Sequence, residues 1–187
     1  MDTVGQELGP LQGLAGIWDG AEGFDEAFSN ELGEVVVTPF RERTELKPFG
    51  PVENGRQVLY GLDYRMAAWR ADEDNPFHTE VGYWLWDAGA EQVTKCFVIP
   101  RGSVILAGGS AAASDTVFSM RAEVGSEVYG IASNPFLADA ARSTTYDVIV
   151  TVGDGTFTYE QTTVIEHRRM PGALVHTDRN TLQRVAS

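Results

Sequence analysis

Residues 144–165 constrain the fold more tightly than any other stretch of the chain. In Thr144-Thr145-Tyr146-Asp147-Val148-Ile149-Val150-Thr151-Val152 the even positions from Tyr146 onward are apolar, while the odd ones mix Thr and Asp with a single Ile. After Gly153-Asp154-Gly155 the pattern resumes, with Phe157, Tyr159, Gln161, Thr163 and Ile165 alternating with Thr158, Glu160 and Thr162. Successive side chains of a strand point to opposite faces, and a Gly-Asp-Gly corner supplies the backbone freedom of a tight turn. The stretch therefore predicts a β-hairpin with one face buried.

The same punctuation runs on from about Leu14: short segments rich in Val, Ile, Thr, Tyr, Phe and Trp, divided by Gly, Pro, Asn and Asp. Strands are predicted at 15–20, 34–47, 56–69, 77–87, 92–99, 103–109, 116–123, 143–152, 156–167 and 173–185. About ten short strands without a long helix exclude α/β architectures and leave a closed barrel or a sandwich. Closure removes exposed edges, and a barrel of about eight strands or more can hold a small ligand inside. Several strands place Thr, Gln, Glu or His on faces that also carry aromatics, which suits a pocket lining better than a dry core. The expected fold is all-β: a single antiparallel barrel of about ten strands, like the lipocalins and fatty-acid-binding proteins, over residues 14–187. Residues 1–13, with Gly5, Gly9 and Pro10, are expected to form a polar lead-in ending in a short helical turn. Residues 124–142 break the rhythm. There Asn134-Pro135-Phe136-Leu137 and Ala138-Asp139-Ala140-Ala141 predict a long connection with a short helical piece, either covering the barrel mouth or lying on the surface.

Charge narrows the partners. With 27 Asp plus Glu against 14 Lys plus Arg, the net charge of −13 repels phosphate backbones and anionic lipid surfaces, so neither nucleic acid nor membrane is expected. A small-molecule ligand and a monomer or homodimer fit better. Cys96 is the single cysteine, which excludes an intramolecular disulfide and suits a reducing cytoplasm. The first residues, Met1-Asp2-Thr3-Val4-Gly5-Gln6-Glu7, carry neither the basic nor the apolar region of a secretory signal, so a cytoplasmic location is expected.

Conventional hydrolytic or transfer chemistry finds no support. There is no Gly-x-Ser-x-Gly elbow, no Gly-x-Gly-x-x-Gly opening a helix and no phosphate loop with Lys. Gly108-Gly109 and Gly20-Ala21-Glu22-Gly23 read as turns, and the acidic residues are too dispersed to pair as a glycosidase dyad. Three histidines remain, too scattered for a sequence-local zinc site. On a final strand, His176 shares one face with Asp178 and Asn180. An inward neutral imidazole there can bind a haem iron, the alternative being an ordinary hydrogen-bonded barrel histidine. His78 opens a strand after Pro76 and Phe77, and Gly82 on its face leaves room for a ligand or a close backbone approach. A surface pair of His78 with Glu80 is the alternative there. His167, before Arg168 and Arg169, takes no role, and Trp18, Tyr60, Tyr64, Trp69, Tyr83, Trp84 and Trp86 are read mostly as barrel wall and core.

Three segments together resemble the nitrobindin family, also described as fatty-acid-binding-protein-like or haem-binding β-barrels. They are Leu14-Ala15-Gly16-Ile17-Trp18-Asp19-Gly20, Pro76-Phe77-His78-Thr79-Glu80-Val81-Gly82-Tyr83, and the terminal strand with His176 followed by Leu182 and Arg184. The resemblance implies a ten-stranded barrel with a b-type haem (heme b) in an open pocket. His176 would be the proximal iron ligand, with His78 and Phe77 on the distal side. It also implies nitric oxide binding at ferrous haem and isomerisation of peroxynitrite to nitrate by the ferric form. The family pattern sets its ligand one residue nearer the following hydrophobic position, so an inward His176 is expected to need a bulge. The rival expectation is a non-haem carrier of a fatty acid or other small hydrophobic ligand, with Arg101, Arg121 or Arg179 meeting a carboxylate. A filled barrel serving as an interaction module is the third, and it predicts no cavity.

Overall fold

Strand pairs with strand until the last meets the first. The computed structural model describes residues 3–71 and 73–185, with the backbone alone for residues 3–6. The strands are β1 (Gly16–Ser29), β2 (Glu34–Asn54), β3 (Gln57–Arg70), β4 (His78–Asp87), β5 (Gln92–Ile99) and β6 (Ser103–Ser110). They continue with β7 (Val117–Val124), β8 (Gly130–Ser133), β9 (Ala141–Val152), β10 (Thr156–His167) and β11 (Ala173–Arg184). Around the barrel the order is β1-β11-β10-β9-β7-β8-β6-β5-β4-β3-β2, closing on β1. The predicted hairpin is β9–β10, in register from Phe157↔Val152 to Val164↔Thr145.

The all-β barrel and its N-terminal helical turn are as expected, and four details differ. There are eleven strands, not ten, because the connection after β7 contains β8 as well as the helical piece α1 (Pro135–Ala140). Four residues are too few to show alternation, so β8 left no trace in the pattern. It lies parallel to β7 through Glu123↔Gly130 and Val124↔Ile131, which makes the barrel mixed rather than wholly antiparallel. The first strand runs on to Ser29, and Gly20 and Gly23 flank a register shift against β2 rather than a turn. Finally, the lead-in is not merely polar. It forms a 3-10 helix (Thr3–Leu14) kinked at Gly9, and its Leu8, Leu11 and Leu14 are fully buried.

A spacing of three matches the three residues per turn of a 3-10 helix, so Leu11 and Leu14 beyond the kink share one face, and Leu8 before it joins the same buried cluster. They plug one end of the barrel over Trp18, Leu46, Leu62, Trp84, Trp86 and Phe157. Each buried leucine contributes about 2 kcal/mol. The plug is tied down: Trp18 Nε1 donates to the Leu14 carbonyl at 2.8 Å, and Arg184 donates to the Gly13 carbonyl at 2.6 Å and to that of Ala15. The Arg184 guanidinium also lies 4.3 Å from the Trp18 ring centre. The main hollow of the lumen lies toward the other end. Among the described residues, no helix is long and apolar enough to cross a membrane.

Candidate ligand pocket and its buried polar floor

The hollow end is a cavity of about 350 Å³, open to solvent. Phe40, Met66, Phe77, Ile99, Ile105 and Ile165 supply apolar walls, and the exposed Arg70 and Arg101 stand at the rim. Of the three arginines considered as carboxylate partners, Arg101 alone lines the cavity. Arg121 pairs with Asp147 on the outer surface at 2.6 Å, and Arg179 lies over Phe24. The connection after β7 does reach the mouth. Asn134 Oδ1 accepts from the Leu137 amide at 2.9 Å and starts α1, which lets buried Leu137 join the lining.

His176 faces this cavity, and no bulge in β11 is needed to put it there. The β10–β11 register is unbroken from Thr156↔Gln183 to Glu166↔Ala173. Simple alternation therefore turns Leu174, His176, Asp178, Asn180 and Leu182 inward together. The register shift lies instead in β1, between Asp19 and Phe24, opposite β11. Beyond it Asp25 pairs with Asp178, so two carboxylates meet the imidazole. His176 Nε2 is 2.6 Å from Asp25 Oδ1 and 3.6 Å from Asp178 Oδ2.

His78 and Phe77 line the same cavity from the start of β4, with β3, β2 and β1 lying between them and β11. The Phe77 ring is 6.0 Å from Phe40 and carries the Arg70 guanidinium at 4.7 Å. His78 is no surface partner of Glu80: its Nε2 meets Glu80 Oε1 at 3.2 Å, and Glu80 is almost wholly buried. His167 lies outside, packed on Phe28.

Sequence reasoning missed what joins the two histidines. Glu80 Oε2 accepts from Tyr64 Oη at 2.7 Å and from Lys95 Nζ at 3.0 Å. Lys95 also donates to Tyr146 Oη at 3.1 Å, and Tyr146 donates to Gln161 Oε1 at 2.7 Å. Gln161 Nε2 then donates to Asp178 Oδ1 at 2.5 Å. A polar chain thus crosses the cavity floor from His78 through Glu80, Lys95, Tyr146, Gln161 and Asp178 to His176. The signal was present in the alternation. Lys95 falls between inward Val93 and Phe97, and Gln161 between inward Tyr159 and Thr163, so each breaks an apolar face.

Burial sets the electrostatics. It works against the Glu80 carboxylate, but Lys95 and His78 more than offset it and hold the group at about 2. Asp178 has His176 and, more weakly, His78 to pull it down, and they do not suffice. Burial, with Glu80 and Asp25 adding to it against the pull of His176, pushes it up to about 7. For both cavity histidines burial favours the neutral ring. The carboxylates outweigh it, Glu80 at His78 and Asp25 at His176, and each pKa lies above the usual value. All three raised groups bind protons more tightly folded than unfolded, so stability falls as pH rises through neutrality. Glu80 acts with the opposite sign, but only below the ordinary glutamate range. The ligand-free protein is expected to melt lower at about pH 8 than at about pH 6, and Asp178→Asn to flatten that slope. A wild-type melting temperature that rises with pH, or an unchanged slope in the variant, would count against this charge balance.

A closed barrel with one end plugged and the other opening on an inward imidazole defines a small-molecule-binding barrel. The chain belongs to the THAP4-like, heme-binding beta-barrel domain family, whose model matches residues 7–184. Among solved structures it is similar to Rv2717c from M. tuberculosis, with a TM-score of 0.63 and 16% identity over 100% of this chain and 99% of that one. That likeness shows the shared barrel. No curated protein matches the chain in sequence. The family is a haem-binding one, and the cavity suits the group on two counts: apolar walls for the faces of a porphyrin and rim arginines for its carboxylates. Its third requirement is a free imidazole nitrogen, and here Asp25 engages Nε2. Haem and the Asp25–His176 hydrogen bond exclude each other at that atom.

Proposed function

We propose that this barrel binds haem through His176 and serves nitric oxide or peroxynitrite-type species, with Phe77 and His78 bounding the distal side. The observation that carries the reading is the inward His176 on the open cavity of a chain that belongs to a haem-binding family. Bound haem would supply an iron centre for small-ligand and redox chemistry. The chain's own groups do the rest. Apolar Phe40, Met66 and Phe77 would exclude water from the porphyrin faces, Arg70 and Arg101 would pair with its carboxylates, and His78 would offer a ring nitrogen to a small ligand. Nitric oxide binding to the ferrous form, and conversion of peroxynitrite to nitrate without added reductant, are the activities to assay. Haemin titrated into the purified protein is expected to give a Soret band that His176→Ala removes. A spectrum unchanged in that variant would retire His176 as ligand.

The rim arginines and apolar walls of the cavity also favour a second reading, a carrier of an apolar carboxylic acid. Native mass spectrometry separates the two: co-purified lipid with no haem uptake supports the carrier.

A further inference from the structure

The floor of the cavity offers a ligand set of which a haem iron would use one member, His176, and leave both carboxylates. We infer that Asp25, His176 and Asp178 form a mononuclear site for a bare divalent transition-metal ion, with Asp25 Oδ1, His176 Nε2 and Asp178 Oδ2 as donors. The three donor atoms lie within 4.8 Å of one another. The fold fixes their grouping twice over, since Asp25 and Asp178 are register partners across β1–β11 and His176 precedes Asp178 by two on the same inward face.

Charge, geometry and support each point to a cation. Among the described residues, His176 is the only basic side chain paired with either aspartate, so two carboxylates share one imidazole. A divalent ion would take the place of the protons that these groups share. Donors about 2.1 Å from one ion stand roughly 3–3.5 Å apart. The 3.6 Å between His176 and Asp178 already suits this, and the 2.6 Å between His176 and Asp25 has to open by less than about 1 Å as the ion replaces the bridging proton. Gln161 holds Asp178 Oδ1 and leaves Oδ2 toward His176, the outer hydrogen bond that orients a ligating carboxylate. One imidazole with two carboxylates and open positions facing a cavity suits Co²⁺, Zn²⁺, Mn²⁺ or Fe²⁺ better than the softer, sulfur-seeking ions. This inference does not rest on the haem reading: the two ligands compete for one nitrogen, and each needs different neighbours of it.

The test is a Co²⁺ titration of the haem-free full chain, followed by visible ligand-field bands and calorimetry, with Zn²⁺ as competitor. One Co²⁺ per chain is expected, displaced by Zn²⁺. Asp25→Asn, Asp178→Asn and His176→Ala are each expected to abolish it, and Gln161→Leu to weaken it about tenfold or more. Zn²⁺ is expected to raise the melting temperature of the wild type and not of Asp178→Asn, which keeps the result readable if a variant is less stable. Haemin titrations on the same proteins separate the two readings, because Asp25→Asn is expected to keep the Soret band while losing Co²⁺. Haemin uptake without any Co²⁺ binding overturns the metal site alone. Co²⁺ held equally well by Asp25→Asn and Asp178→Asn overturns it too. Co²⁺ binding that depends on all three residues, with no haemin uptake, upholds the metal site and retires the haem reading.

Discussion

Replacing Lys95 with methionine is expected to lower the stability of the barrel by about 3–5 kcal/mol, the scale on which a buried ion pair responds to loss of one partner. Lys95 is 4% exposed, and its ammonium sits 3.0 Å from Glu80 Oε2, with the rings of Phe97, Tyr64, Trp84 and Tyr146 between 4.2 and 5.6 Å away. Burial opposes the charge, but Glu80 and Tyr146 hold the ammonium pKa above its ordinary value. Methionine fills nearly the same volume, so the loss is electrostatic: a buried carboxylate left with only Tyr64 and His78. At this chain length the melting temperature is expected to drop on the order of 10 °C. Lys95→Met combined with Glu80→Gln is expected to recover much of the loss, because removing both charges leaves neither orphaned. Urea unfolding of the four proteins measures the coupling directly. A single variant within about 1 kcal/mol of wild type, or a double variant worse than the single, would show that the pair does not hold the floor together.

That floor marks where the sequence was legible and where it stopped. Alternation exposed the strands because one face of each is apolar, and β9–β10 came out nearly residue for residue. It could not see β8, which is too short for a period, nor the role of the N-terminal segment, whose leucines repeat at three rather than at two or at three-and-four. The three family-like segments divide in function once placed. Trp18 and Arg184 meet at the plugged end and secure the fold, while Phe77, His78 and His176 face the open cavity. His176 and Asp178 were legible as neighbours on one face, since that follows from period two. Asp25 was not, because its pairing with Asp178 depends on a register shift in β1 that has no local signature. The partner that engages His176 Nε2 stands 151 residues away in sequence.

Gly82→Ala is the second large effect expected, a loss of about 3 kcal/mol or more, at the upper end for overpacking because the obstacle is main chain. A Cβ at position 82 would lie 2.0 Å from the Cys96 carbonyl oxygen and 2.7 Å from the Phe97 Cα. Neither atom can swing aside, so β4 and β5 must part where Gly82 pairs with Phe97. The close backbone approach that a glycine on the His78 face allowed is therefore what the barrel uses, and it has a reason. Gly82 stands between inward Glu80 and Trp84, and Lys95, which pairs with Trp84, must reach past it to Glu80. Separating the strands there lengthens that ion pair as well as the ladder. Gly89→Ala, in the exposed turn of the same hairpin, supplies the control. Its Cβ would meet nothing closer than Asp87 Oδ1 at 3.4 Å, so a change within about 0.5 kcal/mol is expected. Matched urea curves for the two alanine variants decide the point: equal stability would mean that β4 and β5 do not need the close approach, and that the path from Lys95 to Glu80 is open without it.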